Sequence, residues 1–387
     1  MKQFREKILS SGSALNPLLA LAELGITPAE IKSFVIASLS PYFRNHEILE
    51  EFAIDILAPE VVNLTQVNAN SWAKLAFTRI FDLYRRAESA DAKASYRLCA
   101  ESEPSIASSL SSYWSALYLE QPKRHLDLPE FQYEVFRNIG FTIEACLQPL
   151  LRDLLAQIRV ARGKVVRISD IGLLSLGNLV NELHDTSGCQ ELLAPSPWGI
   201  RLNQWRNMAQ HHRTLVQGGI IQGCYGEPPN EREIKLSREE LWQVLLRVTG
   251  AYNAVRLARK LFFIDNIEKI EPHMLPVEER EEARLFSFVA SVATQGFKVD
   301  DLVITDEVAL ASVIDVVETT EKRLIHASQF LFPLWNMTQR SSLEIQYKDR
   351  KECLQMTFRT TGEACRRVSS GEIDLKTYLS HVEFIRN

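Results

Sequence analysis

Apolar residues along this chain recur mostly three and four positions apart, the spacing that gathers them on one face of a helix. Thr27-Pro28-Ala29-Glu30 opens one such run with an N-cap, a proline at the first helical position and a capping-box glutamate, and Ile31, Phe34, Val35 and Leu39 follow at helical intervals. The same pattern predicts helices over 48–57, 71–86 and 106–119, with breaks at Ser40-Pro41, Ala58-Pro59 and Glu103-Pro104. A boundary is expected around Gln121 to His125. Beyond it the spacing predicts a long helix over 128–161, with Gly140 or Pro149 as a kink.

Three further helices follow in the central region. They cover 168–184, 202–217 and, after the capping box Ser237-Arg238-Glu239-Glu240, 238–264, where Leu241, Val244, Leu245, Val248, Tyr252, Val255, Ala258 and Phe262 form the apolar stripe. Between the last two, residues 219–236 predict a β-hairpin or extended flap turning at Glu227 to Asn230. An acidic helix is expected from Glu278 to Val292, and a helix capped by Thr305 that Pro333 closes near Phe332. Alternation at Leu343, Ile345 and Tyr347, then at Leu354, Met356 and Phe358, predicts two strands turning at Asp349-Arg350, with a final helix after Gly371. The fold class is therefore mainly α: a helical N-terminal region over 1–125, a helical bundle over 126–265 with its hairpin insertion, and a small α+β region over 266–387.

Composition narrows the function classes. The chain has 387 residues, 46% of them hydrophobic, 24% charged, and a net charge of −5, so it can bury a large core and does not coat nucleic acid by bulk charge. Any RNA contact has to be local. The six cysteines form no Cys-x-x-Cys pair, which argues against a zinc site or a disulfide framework and points to a reducing cytoplasm. Asn16, Pro17 and Glu23 interrupt the N-terminal apolar patch, so neither a signal peptide nor a membrane span is expected.

The chemistry concentrates in Leu202 to Val216. On a helix, Leu202, Trp205, Met208, Ala209, Leu215 and Val216 share one face with His212, while Arg206, Asn207, Gln210, His211 and Arg213 occupy the other. His211 can exchange a proton near neutrality and Arg206 offers a planar fork to phosphate oxygens. Arg206-Asn207-x-x-x-His211 resembles the Arg-(Asn/Asp/His)-x-x-x-His signature of the HEPN ribonucleases, and the four helices around it suit a HEPN-like four-helix bundle. The resemblance covers roughly 128–264. It implies a metal-independent endoribonuclease that needs no cofactor, with His211 as acid/base, Arg206 stabilising phosphorus-centred charge and Asn207 orienting His211 or a phosphate. His212, Gln210 and Arg213 are possible assistants. It also implies that Glu144 faces the cleft, although a salt-bridge partner is an equal reading of that residue.

Arg159, Arg162, Lys164 and Arg167 form a basic turn, readable as an RNA-backbone contact or as a solvated turn. Arg85-Arg86 and Phe43-Arg44-Asn45-His46 read as ordinary surface. His184-Asp185 reads as a helix-end histidine rather than a dyad, because adjacent side chains on a helix do not face one another. A single signature copy implies a homodimer with a composite site, and the family's roles as toxin or antiviral, abortive-infection effector imply a restraining antitoxin or regulatory protein. Two other readings stay open: a noncatalytic HEPN-like RNA-binding or regulatory module, and a helical protein-interaction scaffold with both histidines structural.

Overall fold

The computed structural model describes residues 24–118, 126–211, 213–227, 229–275, 281–317 and 320–386. The apolar N-terminal patch, the boundary expected at 121–125 and His212 lie outside the described residues. Among the described residues helix accounts for 64% and strand for 15%, so the protein is mainly helical, with a helical N-terminal region and a small C-terminal sheet. Contacts divide it into two compact units, one of residues 42–45 and 63–279, the other of 1–41, 46–62 and 280–387. This division follows neither boundary expected from the chain, near 125 and near 265.

In the first unit, helices Ser71–Ala90 and Ala92–Tyr118 join the core that the sequence pattern gave to 126–265 alone. Ser71–Ala90 packs on both Gln148–Ala161 and Arg238–Asp265, and Ala92–Tyr118 packs on Gln148–Ala161. Ala73, Ala76, Phe77, Ile80, Tyr84 and Ala87 supply its buried stripe at helical spacing. The break expected at Ser40-Pro41 is present, where Pro28–Leu39 ends, but those at Ala58-Pro59 and Glu103-Pro104 are not. Pro104 lies inside Ala92–Tyr118, and Ala58–Asn68 follows without interruption from the wide turn Ala53–Leu57.

Pro149 acts in a similar way. The segment 128–161 is one continuous rod in which Thr142–Leu147 forms a π-helical turn between Leu128–Phe141 and Gln148–Ala161. A proline within a helix lacks its N–H and crowds the carbonyl four residues back, and a widened turn just before it relieves both. The Ser109 hydroxyl donates to the Cys146 carbonyl in this turn. Residues expected as one helix over 168–184 form two, Ile168–Gly172 and Leu176–Thr186, the second capped by Ser175.

The largest local correction concerns the signature helix, which spans Leu202–Gln210 and not 202–217. Leu215 and Val216 belong instead to a strand, β1 (Thr214–Gln217), of an antiparallel meander with β2 (Ile220–Tyr225) and β3 (Arg232–Leu236). Leu215 is exposed. β-branched Thr214 and Val216 and the Gly218-Gly219 turn, both glycines at positive φ, favour a hairpin over continued helix.

The second unit holds a five-stranded sheet in the order β4 (Phe297–Ile304), β5 (Val308–Asp315), β6 (Ser342–Lys348), β7 (Leu354–Thr361) and β8 (Glu383–Arg386), parallel only between β5 and β6. The helix expected over 305–332 is absent there. Thr305 accepts the Val308 N–H at 3.0 Å in the β4–β5 turn, and the helices Glu321–Ser328 and Leu331–Thr338 form the crossover to β6. A hydroxyl that bonds three residues ahead serves a turn as readily as a helix cap. β6 and β7 form where alternation predicts them, with Leu343, Ile345 and Tyr347 fully buried. Arg323 grips Asp315 of β5 through two bonds of 3.0 and 2.7 Å, and the Tyr347 hydroxyl donates to the same carboxylate.

Candidate functional site

The signature helix is held from behind by its apolar side. Leu202, Trp205 and Met208 are fully buried, and Trp205 stacks near Phe136 and edge-on to Trp198. Two glycines let its neighbours come close. A Cβ at Gly140 would lie 2.9 Å from the Ala209 Cβ, and one at Gly223 would lie 2.9 Å from the Met208 Sδ, so the helix is wedged between Leu128–Phe141 and β2. Gly140 thus serves a close approach between helices.

The opposite side carries the polar cluster. Arg206, the fifth residue of the helix, donates from Nε to Glu144 Oε2 at 3.1 Å and from NH2 to Glu144 Oε1 at 2.7 Å, a bidentate pairing. The Gln210 amide donates to Glu144 Oε2 as well. Glu144 projects from the π-turn Thr142–Leu147, so the widened turn sets the acceptor and the short helix sets the donors. The pair lies at the surface, with 24% of the Arg206 side chain and 37% of Glu144 exposed. Asn207 Oδ1 accepts from Arg206 NH1 at 3.3 Å. Its tie to His211 runs through the backbone, where the His211 N–H reaches the Asn207 carbonyl at 3.0 Å, and not through the side chain as the resemblance implies.

His211 is the C-cap of the helix and is exposed, and among the described residues its imidazole has no hydrogen-bond partner. Arg213 points away from Glu144. It donates to the Gly226 carbonyl at 3.1 Å and pairs with Glu231 at 3.4 Å, while Gln204 Oε1 accepts the Gly226 N–H at 3.0 Å. The β2–β3 turn is thereby clipped to both ends of the signature segment. No motif announces that clip, since the partners are 13 to 22 residues apart in an irregular turn.

The basic turn is largely neutralised. Arg159 grips Glu182 bidentately at 2.9 and 2.7 Å, which lowers the Glu182 carboxyl and raises the guanidinium. Arg167 pairs with Asp170 at 3.0 Å, Arg162 reaches only the Thr186 carbonyl at 3.4 Å, and Lys164 is exposed. His184 stands in the last turn of Leu176–Thr186, as expected, but its side chain does meet that of its neighbour, with Nδ1 3.3 Å from the Asp185 carboxylate. The surface reading of Arg85 is corrected too. It is largely buried, paired with Asp265 at 2.5 Å and Glu88 at 3.1 Å.

A second cluster of ionisable groups, invisible in the sequence pattern, lies in the core of the same unit. Arg259 Nε donates to Asp153 Oδ2 at 3.2 Å, its NH2 to Glu103 at 2.7 Å and to the Cys99 carbonyl at 3.1 Å, and the Tyr84 hydroxyl donates to Asp153 at 2.5 Å. Burial pushes the Asp153 carboxyl and the Tyr84 hydroxyl up. Burial also works against the Arg259 charge, but Glu103 and Asp153 outweigh it and the guanidinium stays protonated. The residues come from four helices, at positions 84, 103, 153 and 259, too far apart in the chain for any spacing rule to connect them.

Among the described residues, no group of three or more His, Cys, Asp or Glu side chains is placed to hold a metal ion, and no helix is long and apolar enough to cross a membrane. Comparison with protein-family models, curated proteins and solved structures finds no match to this chain.

Proposed function

We propose that this protein is a metal-independent endoribonuclease of the HEPN type, acting as a homodimer, with the helices 128–161, Leu176–Thr186, Leu202–Gln210 and Arg238–Asp265 as its four-helix bundle. The observation that carries the reading is a guanidinium fork on an anion at the surface, on the same nine-residue helix that ends in an exposed, unengaged imidazole. RNA contains its own nucleophile, the 2′-hydroxyl. Its oxygen forms a bond to phosphorus as the bond to the 5′-oxygen breaks. The 2′-proton passes to one imidazole and the departing 5′-oxygen takes a proton from another, leaving a 2′,3′-cyclic phosphate and a 5′-hydroxyl. Each chain contributes one His211, so two copies facing one phosphodiester supply both proton transfers. Arg206 steadies the charge that grows on the phosphoryl oxygens. A toxin or defence role in the cytoplasm, with an antitoxin or other regulator, follows from the resemblance.

One observation favours the noncatalytic reading: Arg206 already has a carboxylate partner. Labelled RNA incubated with purified protein in chelator separates the two. Loss of cleavage by about 10²–10⁴-fold in both Arg206→Ala and His211→Ala is the expected result for the enzyme. RNA binding without cleavage by the parent protein identifies the binding module, and indifference of RNA to either substitution identifies a scaffold.

A further inference from the structure

We propose that Glu144 is a built-in anion occupying the oxyanion cradle of Arg206 and Gln210, and that RNA binds by exchanging one backbone phosphate for this carboxylate. The inference rests on the RNA-directed reading of the site and specifies how that site is held at rest. Three N–H groups, Arg206 Nε and NH2 and the Gln210 amide, converge on the two oxygens of one carboxylate. A phosphate presents two oxygens to a guanidinium fork in the same coplanar manner, so the cradle fits either anion.

Two features make the exchange practicable. The acceptor and donors sit on separate elements, the π-turn Thr142–Leu147 and the helix Leu202–Gln210, so Glu144 can swing out by side-chain rotation alone. The cradle keeps its shape when the carboxylate leaves, because Trp205, Met208 and the Gly140–Ala209 contact fix the helix from behind. The partial exposure of both side chains gives a phosphate access and gives the displaced carboxylate water to enter. Arg259 has none of this freedom: its three acceptors are Asp153, Glu103 and a backbone carbonyl, and it is 5% exposed.

The exchange is tested by fluorescence anisotropy on the full-length protein with a labelled oligoribonucleotide whose 2′-hydroxyls are methylated at every position, so that it cannot be cut by 2′-attack. Glu144→Gln removes the charge at constant size. The expected result is binding about fivefold tighter than the parent, the fold-change equivalent of one partly exposed ion pair, with no gain when the same substitution is made in an Arg206→Ala background. Unchanged or weaker binding overturns the proposal. So does an equal gain in the Arg206→Ala background, which reports only a less negative surface, and so does absence of binding in both proteins. Should Glu144→Gln fail to fold, Glu144→Asp keeps the charge and withdraws it from the fork; tighter binding supports exchange, and parental binding overturns it. Because the probe is not cut, a tighter Glu144→Gln with no nuclease activity in any variant retires the nuclease reading and leaves the exchange standing.

Discussion

Two arginine–carboxylate clusters lie in one compact unit and differ in almost everything except chemistry. Arg259, Asp153 and Glu103 meet in the core, while Arg206 and Glu144 meet at its surface. In the core, removal from water raises the Asp153 carboxyl, and every acceptor of Arg259 belongs to the protein. Arg259 and Asp153 are closed off from water and Glu103 nearly so, which holds the cluster as a clamp. At the surface, water compensates whichever charge is released, so a similar pairing becomes exchangeable. Burial, rather than residue type, separates a clamp from a binding site.

The sharpest way to break this contrast is to remove one partner from each cluster. Arg259→Ala leaves Asp153 and Glu103 without their cation, with Asp153 fully buried, and is expected to cost about 3–5 kcal/mol in urea unfolding. Arg206→Ala is expected to cost about 0–1 kcal/mol. Equal losses would mean that the surface pair is structural after all.

The packing behind the surface pair gives a smaller effect. Gly140→Ala puts a methyl against the Ala209 Cβ and is expected to cost about 1–3 kcal/mol, with most of it restored by adding Ala209→Gly. A single substitution without cost would show that the signature helix is free to shift, and the rigid cradle would be lost from the account.

The smallest effect concerns Arg159–Glu182, a pair intermediate in exposure. Arg159 holds the Glu182 carboxyl below the usual glutamate range. Since the folded value is the depressed one, the pair stabilises the fold above the ordinary glutamate range, and that contribution is lost as pH falls through the folded value. Denaturant unfolding at neutral and acidic pH should therefore show a flatter acid-side loss for Glu182→Gln than for the parent. An identical pH dependence in both would break the pairing's link to stability. Asp153 has the opposite sign: its raised carboxyl favours the folded state below the ordinary aspartate range, and that advantage is lost as pH rises through the folded value.

What could be read from the chain and what could not divides on physical grounds. Capping boxes at Thr27–Glu30 and Ser237–Glu240, the long stripe of Arg238–Asp265 and the alternation of β6 are local: a few neighbouring residues carry the whole instruction, and the structure contains both capping boxes. The candidate residues Arg206, Asn207, Gln210 and His211 were legible for the same reason, as neighbours on one short helix. Misreadings arose where two local states use the same residues. Thr305 makes a turn with the bond it would use in a cap, and Leu215 and Val216 suit a helix face until Gly218-Gly219 turns the chain back into a sheet.

Tertiary structure alone decided the rest. The partnership of Glu144 with Arg206 spans 62 positions, and that of Asp153 with Arg259 spans 106, so no spacing rule connects them. It also placed Ser71–Ala90 and Ala92–Tyr118 in the same compact unit as the signature helix. Sequence by itself determined which residues could carry charge and which faces had to leave water. Which charge meets which, and whether water can reach the pair, depends on how the helices pack, because electrostatic strength and exchangeability are both set by the surroundings brought together in the fold.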